Sequence, residues 1–197
     1  MAVMMQADNE VASQIVAAAR LLFLRSGYSQ VSTEQIARSI GRSKKTLYKH
    51  FETKEVLLQA ALAQVDGETE VKVAAVLADR SGDGLTRLRG VLAVVAVHLA
   101  DLYQVLFADL RENQPELGRQ AWQERRRAIA QMLEPVLRDT VARRVIRADM
   151  TTESVLNIIC CCVEGLGAPP DPTSDGSGRP DVIGALVSLI VDGLRLR

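Results

Sequence analysis

The twenty residues from Ser32 to Phe51, STEQIARSIGRSKKTLYKHF, constrain the possible folds more than any other part of the chain. Ser32 is a natural N-cap, and Gln35, three residues later, completes a capping box that starts a helix. Gly41 ends that helix about two turns later, because glycine adopts a positive φ without a steric penalty. Ser43 caps a second short helix. The run therefore predicts two short helices joined by a tight turn.

Longer helical patterns flank this pair on both sides. Before it, apolar residues recurring three and four positions apart predict a helix from about Asn9 to Ser26, which Gly27 ends in the left-handed conformation. After it, Thr53 caps a predicted long helix from Lys54 to about Ala78. The amino-terminal part of the chain is thus expected to contain three helices followed by a long fourth one.

The remainder of the chain is predicted to be helical as well. The polar segment from Asp79 to Gly84 breaks the chain, and the stretch from Ala168 to Asp181, rich in Pro, Gly, Ser and Asp, predicts a loop. Apolar helical stretches lie at about 85–112, 115–146, 152–167 and 182–196. No strand pattern competes with them, so the predicted fold class is all-α.

The second helix of the capped pair has one apolar face and one basic face. A helical wheel with Leu47 toward the core places Lys45 and Lys49 at about 160° and 200°, pointing outward, with Thr46 and Tyr48 on the flanks. A helix-turn-helix projects such a face into the major groove, where cations and hydroxyls contact phosphates and base edges. A solvated lysine face is the alternative, and it is disfavoured because the turn, the caps and the spacing occur together.

The distribution of charge favours a phosphate-facing surface at one end of the molecule. The chain carries 24 basic and 24 acidic residues, so its formal net charge is zero. Residues 32–51 hold five lysines and arginines against Glu34 alone, a local charge of +4 that leaves −4 for the rest. Lys44 falls nearer the core side of the wheel, but its long stem can still reach DNA from the first turn. Lys54 adds to the argument, because a cation at the start of a helix opposes the macrodipole unless a phosphate lies there.

The segment from Ser32 to Leu58 resembles the DNA-binding signature of the tetracycline-repressor (TetR) family. The matching elements are, in chain order, Ser32–Thr33, Ile36–Ala37, the Gly41-x-Ser43 turn, Leu47-Tyr48-x-His50-Phe51 and Lys54-Glu55-x-Leu57. About thirty residues match closely. The preceding helix and the all-helical remainder agree more loosely.

The resemblance implies DNA contacts for ten residues in three groups. Phosphates would be held by Thr33, Tyr48, His50 and Lys54. Base edges would be approached by Lys44, Lys45, Thr46 and Lys49. The DNA backbone at the helix start would lie near Arg42 and Ser43.

The resemblance also implies an architecture and a mechanism. A three-helix helix-turn-helix domain at residues 9–69 would be joined to a larger helical ligand-binding and dimerisation domain at 70–197. Helices at about 152–167 and 182–196 would pair with their copies in a second subunit as a four-helix bundle. We therefore predict a homodimer that binds a pseudo-palindromic operator in double-stranded DNA and is released by a small-molecule inducer.

The resemblance also implies a ligand pocket among the middle helices. The polar-aromatic or soft residues that are candidates to line it are His98, Tyr103, Phe107, Trp122 and Met132. Ordinary packing is the alternative for each of them.

Other classes of function are disfavoured. The chain has no Gly-rich phosphate loop, no metal-spaced histidines and no nucleophile motif, so we expect neither an enzyme nor a cofactor or metal. Cys160, Cys161 and Cys162 are consecutive and point about 100° apart on a helix, which predicts buried, reduced thiols rather than a metal site. No signal-peptide pattern opens the chain, and its longest apolar run is too short to cross a membrane, which favours a cytoplasmic protein.

Two alternatives stay open on the sequence. An activator, or a regulator that responds to no ligand, would share the same fold. A helical ligand-binding or interaction module with a vestigial head would not bind DNA.

Overall fold

A computed structural model describes residues 2–79, 82–166 and 179–195 and shows helices joined by short connections. The α-helices are α1 (Ala2–Ser26), α2 (Thr33–Ser39), α3 (Lys44–His50), α4 (Lys54–Ala78), α5 (Gly84–Leu102), α6 (Ala108–Asn113), α7 (Pro115–Ala142), α8 (Thr152–Leu166) and α9 (Arg179–Leu194). A π-helical turn, Tyr103–Phe107, joins α5 to α6. Within the described ranges there is no strand, only one isolated antiparallel bridge between Ile146 and Arg195. The all-α prediction is confirmed.

Several predicted boundaries differ from the observed ones. The first helix begins at Ala2 rather than near Asn9. The predicted stretch at 85–112 is interrupted by the π-helical turn, and the one at 115–146 ends at Ala142. Of the predicted loop at 168–181, residues 168–178 lie outside the described residues, whereas its last three belong to α9.

The chain divides into two compact units. The first contains Met1–Gly67 together with Val105–Ala121, and the second contains Glu68–Gln104 together with Trp122–Arg197. A segment far downstream in the sequence, which includes α6, therefore belongs to the same unit as the amino-terminal helices.

In the first unit, α1 packs against α2 and α3. Ile15, Phe23, Ile36 and Leu47 are fully buried there, because each lies on the apolar face of its helix. The turn after α1 depends on Gly27, whose φ is +81°. A Cβ atom at this position would lie 2.8 Å from the Cβ of Asp109 in α6. Glycine is thus required here both by the backbone conformation and by the neighbouring side chain.

In the second unit, α5 packs against α8 and α9. Ten of the 19 residues of α5 are buried, which makes it the central helix of this unit. In the described part of the chain, no single helix combines the length and the apolar composition of a membrane span. Gly84–Leu102 and Gln104–Asn113 satisfy both criteria only as a pair, and the pair is bent by 41°.

Candidate nucleic-acid interface

Short-range hydrogen bonds fix α2, the turn and α3. The Ser32 hydroxyl accepts from the Gln35 backbone N–H at 3.1 Å, and the Gln35 side chain accepts from the Ser32 N–H at 2.7 Å. This is the predicted capping box. Gly41 has a φ of +65°, as the predicted turn requires. The Ser43 hydroxyl accepts from the Thr46 N–H at 3.1 Å, so the predicted cap of α3 is also confirmed.

The two faces of α3 differ as the helical wheel predicts. Leu47 is fully buried, whereas Lys45 and Lys49 are exposed. Lys44, which the wheel places nearer the core, is exposed instead, and its ammonium lies 5.8 Å from the centre of the Tyr48 ring. The reason is that the stem of a lysine is long enough to extend along the helix surface to an aromatic partner one turn away, which keeps the ammonium in solvent.

The residues that would surround these lysines are placed in different environments. Arg42 and Ser43 are exposed at the start of α3, Tyr48 is 41% exposed, and Thr46 is half-buried. Thr33 is buried, and its hydroxyl lies 3.3 Å from the Tyr48 hydroxyl. A phosphate that contacts Tyr48 would therefore meet a phenol whose position is already tied to α2.

The Lys54 side chain points into the first unit and not toward solvent. Its ammonium donates to the Tyr28 carbonyl at 2.6 Å and lies 3.9 Å from the centre of the Tyr28 ring and 5.9 Å from that of Phe23. The Tyr28 hydroxyl in turn donates to Glu55 at 3.0 Å. The sequence argument that stability alone does not explain a lysine at this position is therefore wrong, because the lysine joins α4 to the loop after α1. Its predicted phosphate contact stays a prediction.

The environment of this cluster shifts the pKa values of its members. Burial lowers the pKa of Lys54. Burial, followed by the hydrogen bond to Glu55, raises the pKa of Tyr28. Hydrogen bonds from its own backbone N–H and from Thr53 lower the pKa of Glu55. The lowered pKa of Glu55 favours its carboxylate form and the raised pKa of Tyr28 favours its neutral phenol, which is the combination that the hydrogen bond from Tyr28 to Glu55 needs.

The acid Asp8 also meets α3, and the sequence analysis did not find it. Its carboxylate accepts from the Lys49 ammonium at 2.9 Å and lies 3.6 Å from Nε2 of His50. The His50 side chain is only 10% exposed. The hydrogen bond from Lys49 is the main cause that lowers the pKa of Asp8. The predicted first helix begins at Asn9 and therefore leaves Asp8 out. The observed helix begins at Ala2 and carries Asp8 on its surface.

The described candidates for a ligand pocket are divided between the two units. His98 and Met132 are buried and Trp122 is half-buried in the second unit, whereas Phe107 is buried in the first. The Tyr103 side chain lies outside the described residues. His98 Nδ1 lies 2.8 Å from the Thr69 hydroxyl, a buried hydrogen bond in the second unit.

Two further features of the second unit bear on the sequence predictions. A surface groove of about 550 Å³ lies between α7 and the start of α8, and it is lined by Arg126, Thr152 and Glu153 among others but by none of the five candidates. Cys160 is buried, Cys162 is half-buried and Cys161 is exposed. The prediction of three buried thiols is wrong for Cys161, because the three residues point to different sides of α8.

Known proteins resemble this chain in two ways. The family described as "Bacterial regulatory proteins, tetR family" matches residues 15–61, the segment that contains the helix-turn-helix. The search of curated proteins found no match to this sequence. Solved structures, by contrast, match nearly its full length.

Three of these structures illustrate the likeness. A TetR-family transcriptional regulator from Agrobacterium tumefaciens is 21% identical, with a TM-score of 0.71 over 96% of this chain and 100% of that one. A putative TetR-family regulator from Rhodococcus sp. is 18% identical, with a TM-score of 0.73 over 95% and 100%. The fatty acid degradation regulator FadR from Bacillus halodurans is 21% identical, with a TM-score of 0.70 over 94% and 97%.

At these identities the structures establish the shared fold, and the sequence match establishes the type of the amino-terminal domain. The two findings agree with the exposed lysines of α3 and with the capped turn that precedes them. Residues 15–61 therefore match the family of tetR bacterial regulatory proteins, and the chain as a whole shares the fold of solved TetR-family transcriptional regulators.

Proposed function

We propose that this regulator is a ligand-released repressor that binds a pseudo-palindromic operator as a homodimer. In this proposal residues 9–69 form the DNA-binding domain and residues 70–197 the ligand-binding and dimerisation domain. The observation that carries it is the division of α3, in which Leu47 is fully buried while Lys44, Lys45 and Lys49 are exposed on the other side. A short helix anchored by one apolar residue can enter a major groove without losing its own packing.

DNA binding is tested by selecting bound fragments from a genomic library and measuring the affinity of the protein for them. Lys45→Ala should weaken binding by roughly tenfold and change the preference among operator variants, because a side chain that reaches a base edge carries discrimination. Lys72→Ala is the matched control, since Lys72 is an exposed lysine of α4 in the second unit. Equal effects of the two substitutions would contradict a base-reading role for Lys45.

Dimerisation through α8 and α9 is supported by apolar side chains that the single chain leaves exposed. Leu189 is 73% exposed, and Val182 and Ile158 are each 41% exposed. On α9, Val182, Ala185 and Leu189 recur at the spacing of one helix face. Such a face is typical of a two-fold interface.

Leu189→Asp should therefore raise the dimer dissociation constant by roughly a hundredfold or more, because a charge would be buried without a partner. Val71→Asp is the matched control, since Val71 is 70% exposed on α4. Sedimentation equilibrium measures both. A monomeric wild-type protein at micromolar concentration, or equal dissociation of both variants, would overturn the proposed interface.

Repression and release by an inducer are the remaining parts of the proposal. Thr69 and His98 form a buried polar pair in the second unit, and a ligand beside them would be recognised by hydrogen bonds as well as by shape. A promoter-reporter assay with and without the protein separates repression from activation. Release of DNA by small molecules in a ligand screen, lost in His98→Ala but kept in Val97→Ala, would support the inducer site.

A further inference from the structure

The first three turns of α1 bring an acidic side chain to the carboxyl end of α3. The Asp8 carboxylate lies 2.9 Å from the Lys49 ammonium and 3.6 Å from His50 Nε2. Helix α3 itself contains three lysines and a histidine and no acid. Asp8 therefore places a negative charge beside the basic face of α3, which is the face proposed to contact DNA.

The exposure of this ion pair decides whether DNA can displace it. The Lys49 and Asp8 side chains are 66% and 53% exposed. Ion pairs with this much solvent around them contribute little to stability, so a phosphate oxygen can replace the carboxylate without breaking a buried contact.

We propose that Asp8 is an internal competitor of the DNA backbone, which holds Lys49 in the free protein and limits the affinity of the head for every duplex. The inference rests on the proposed function, because it assumes that α3 faces DNA. Asp8 touches no DNA in this scheme and acts through Lys49. Its carboxylate and a backbone phosphate are alternative anions for the same ammonium group, so this inference gives Lys49 a phosphate contact in place of the base-edge contact that the resemblance implies.

The competition has two measurable consequences. Removing the carboxylate leaves Lys49 available, so affinity for DNA should rise. One more phosphate should also be neutralised by each head, and the slope of log K against log salt steepens by about 0.9 for each added phosphate contact. An effect on folding alone would change neither quantity.

The experiment uses the full chain and a random-sequence duplex, with affinity measured over a series of salt concentrations. Asp8→Asn should bind roughly 3- to 10-fold more tightly than the wild type near 0.1 M salt, with the steeper slope. Asp8→Glu keeps the carboxylate and should stay within about twofold of the wild type. Glu10→Gln is the matched control, because Glu10 is an exposed acid on the same helix and no ion pair joins it to α3 in the described part of the chain.

A double-mutant cycle separates action through Lys49 from a general charge effect. In a Lys49→Ala background, Asp8→Asn should change affinity by less than about twofold. Persistence of the full gain in that background, or equal gains from Asp8→Asn and Glu10→Gln, would overturn the proposal while the DNA-binding function stands. A wild-type protein with no measurable affinity for any duplex would overturn both.

Discussion

The two compact units of this protein are held in shape by different kinds of interaction. In the first unit, α2 and α3 have seven residues each, and their ends are fixed by a capping box, a serine cap and a glycine with positive φ. In the second unit, α5 buries ten of its 19 residues in contact with α8 and α9. Local backbone geometry thus fixes the two short helices of the first unit, whereas buried apolar volume fixes α5 in the second.

From this difference we expect the two units to respond differently to sequence change. A helix of seven residues is too short to be stable alone, so its ends and its turn must be specified residue by residue. A long helix buried on several sides tolerates a change at its ends but not the loss of core volume. Side chains next to a turn that is fixed in this way keep a defined direction.

The largest expected effect is in the second unit. Leu99→Ala should lower the free energy of unfolding by about 4 kcal/mol, because Leu99 is fully buried in α5 and the substitution leaves a cavity. Val97→Ala, at a position 47% exposed on the same helix, should change it by about 0.5 kcal/mol or less. Urea denaturation measures both. Equal losses would show that burial in α5 does not set the stability of this unit.

A somewhat smaller effect is expected from backbone geometry in the first unit. Gly27→Ala should cost about 3 kcal/mol, because alanine is strained at a φ of +81° and its Cβ would lie 2.8 Å from the Asp109 side chain. Gly41→Ala should cost only about 1 kcal/mol, since φ is +65° but no atom lies within 4 Å of the added Cβ. The same denaturation experiment compares them, and a larger loss at Gly41 would refute the role of Asp109.

The smallest expected effect concerns the ion pair between Asp8 and Lys49. The pKa of Asp8 is lowered from 3.8, so its pair with Lys49 stabilises the folded state above that pH, and this contribution is lost as the pH falls through the lowered pKa. The difference in stability between the wild type and Asp8→Asn should thus be present at neutral pH and vanish in strong acid. Carboxyl NMR titration should show a higher pKa of Asp8 in Lys49→Ala than in the wild type. An unchanged pKa would contradict the ion pair between Asp8 and Lys49.

The features that sequence reasoning predicted are those set by neighbouring residues. The capping box at Ser32, the turn at Gly41, the cap at Ser43 and the burial of Leu47 each depend on residues within four positions, and each is observed. The assignment of ten DNA-contacting residues adds the family resemblance to this local information and awaits the binding experiments.

The features that it missed depend on residues far apart in the sequence. Lys54 meets Tyr28 from 26 positions away, and Lys49 meets Asp8 from 41 positions away. Helical periodicity says which face of a helix is buried but not which distant side chain lies opposite. The π-helical turn at Tyr103–Phe107 was missed for a related reason, because its apolar composition continues that of α5.

The contact between Gly27 and Asp109 has a consequence for how the DNA-binding part can be isolated. Asp109 accepts from the Ser29 backbone N–H at 2.7 Å, across 80 positions of sequence, and both belong to the first unit. A fragment that stopped after α4 would leave this amide to water and the glycine turn without its neighbour. Helices α1 to α4 consequently do not form an independent unit. A fragment that contains only these helices should keep them folded but hold the loop before α2 less firmly.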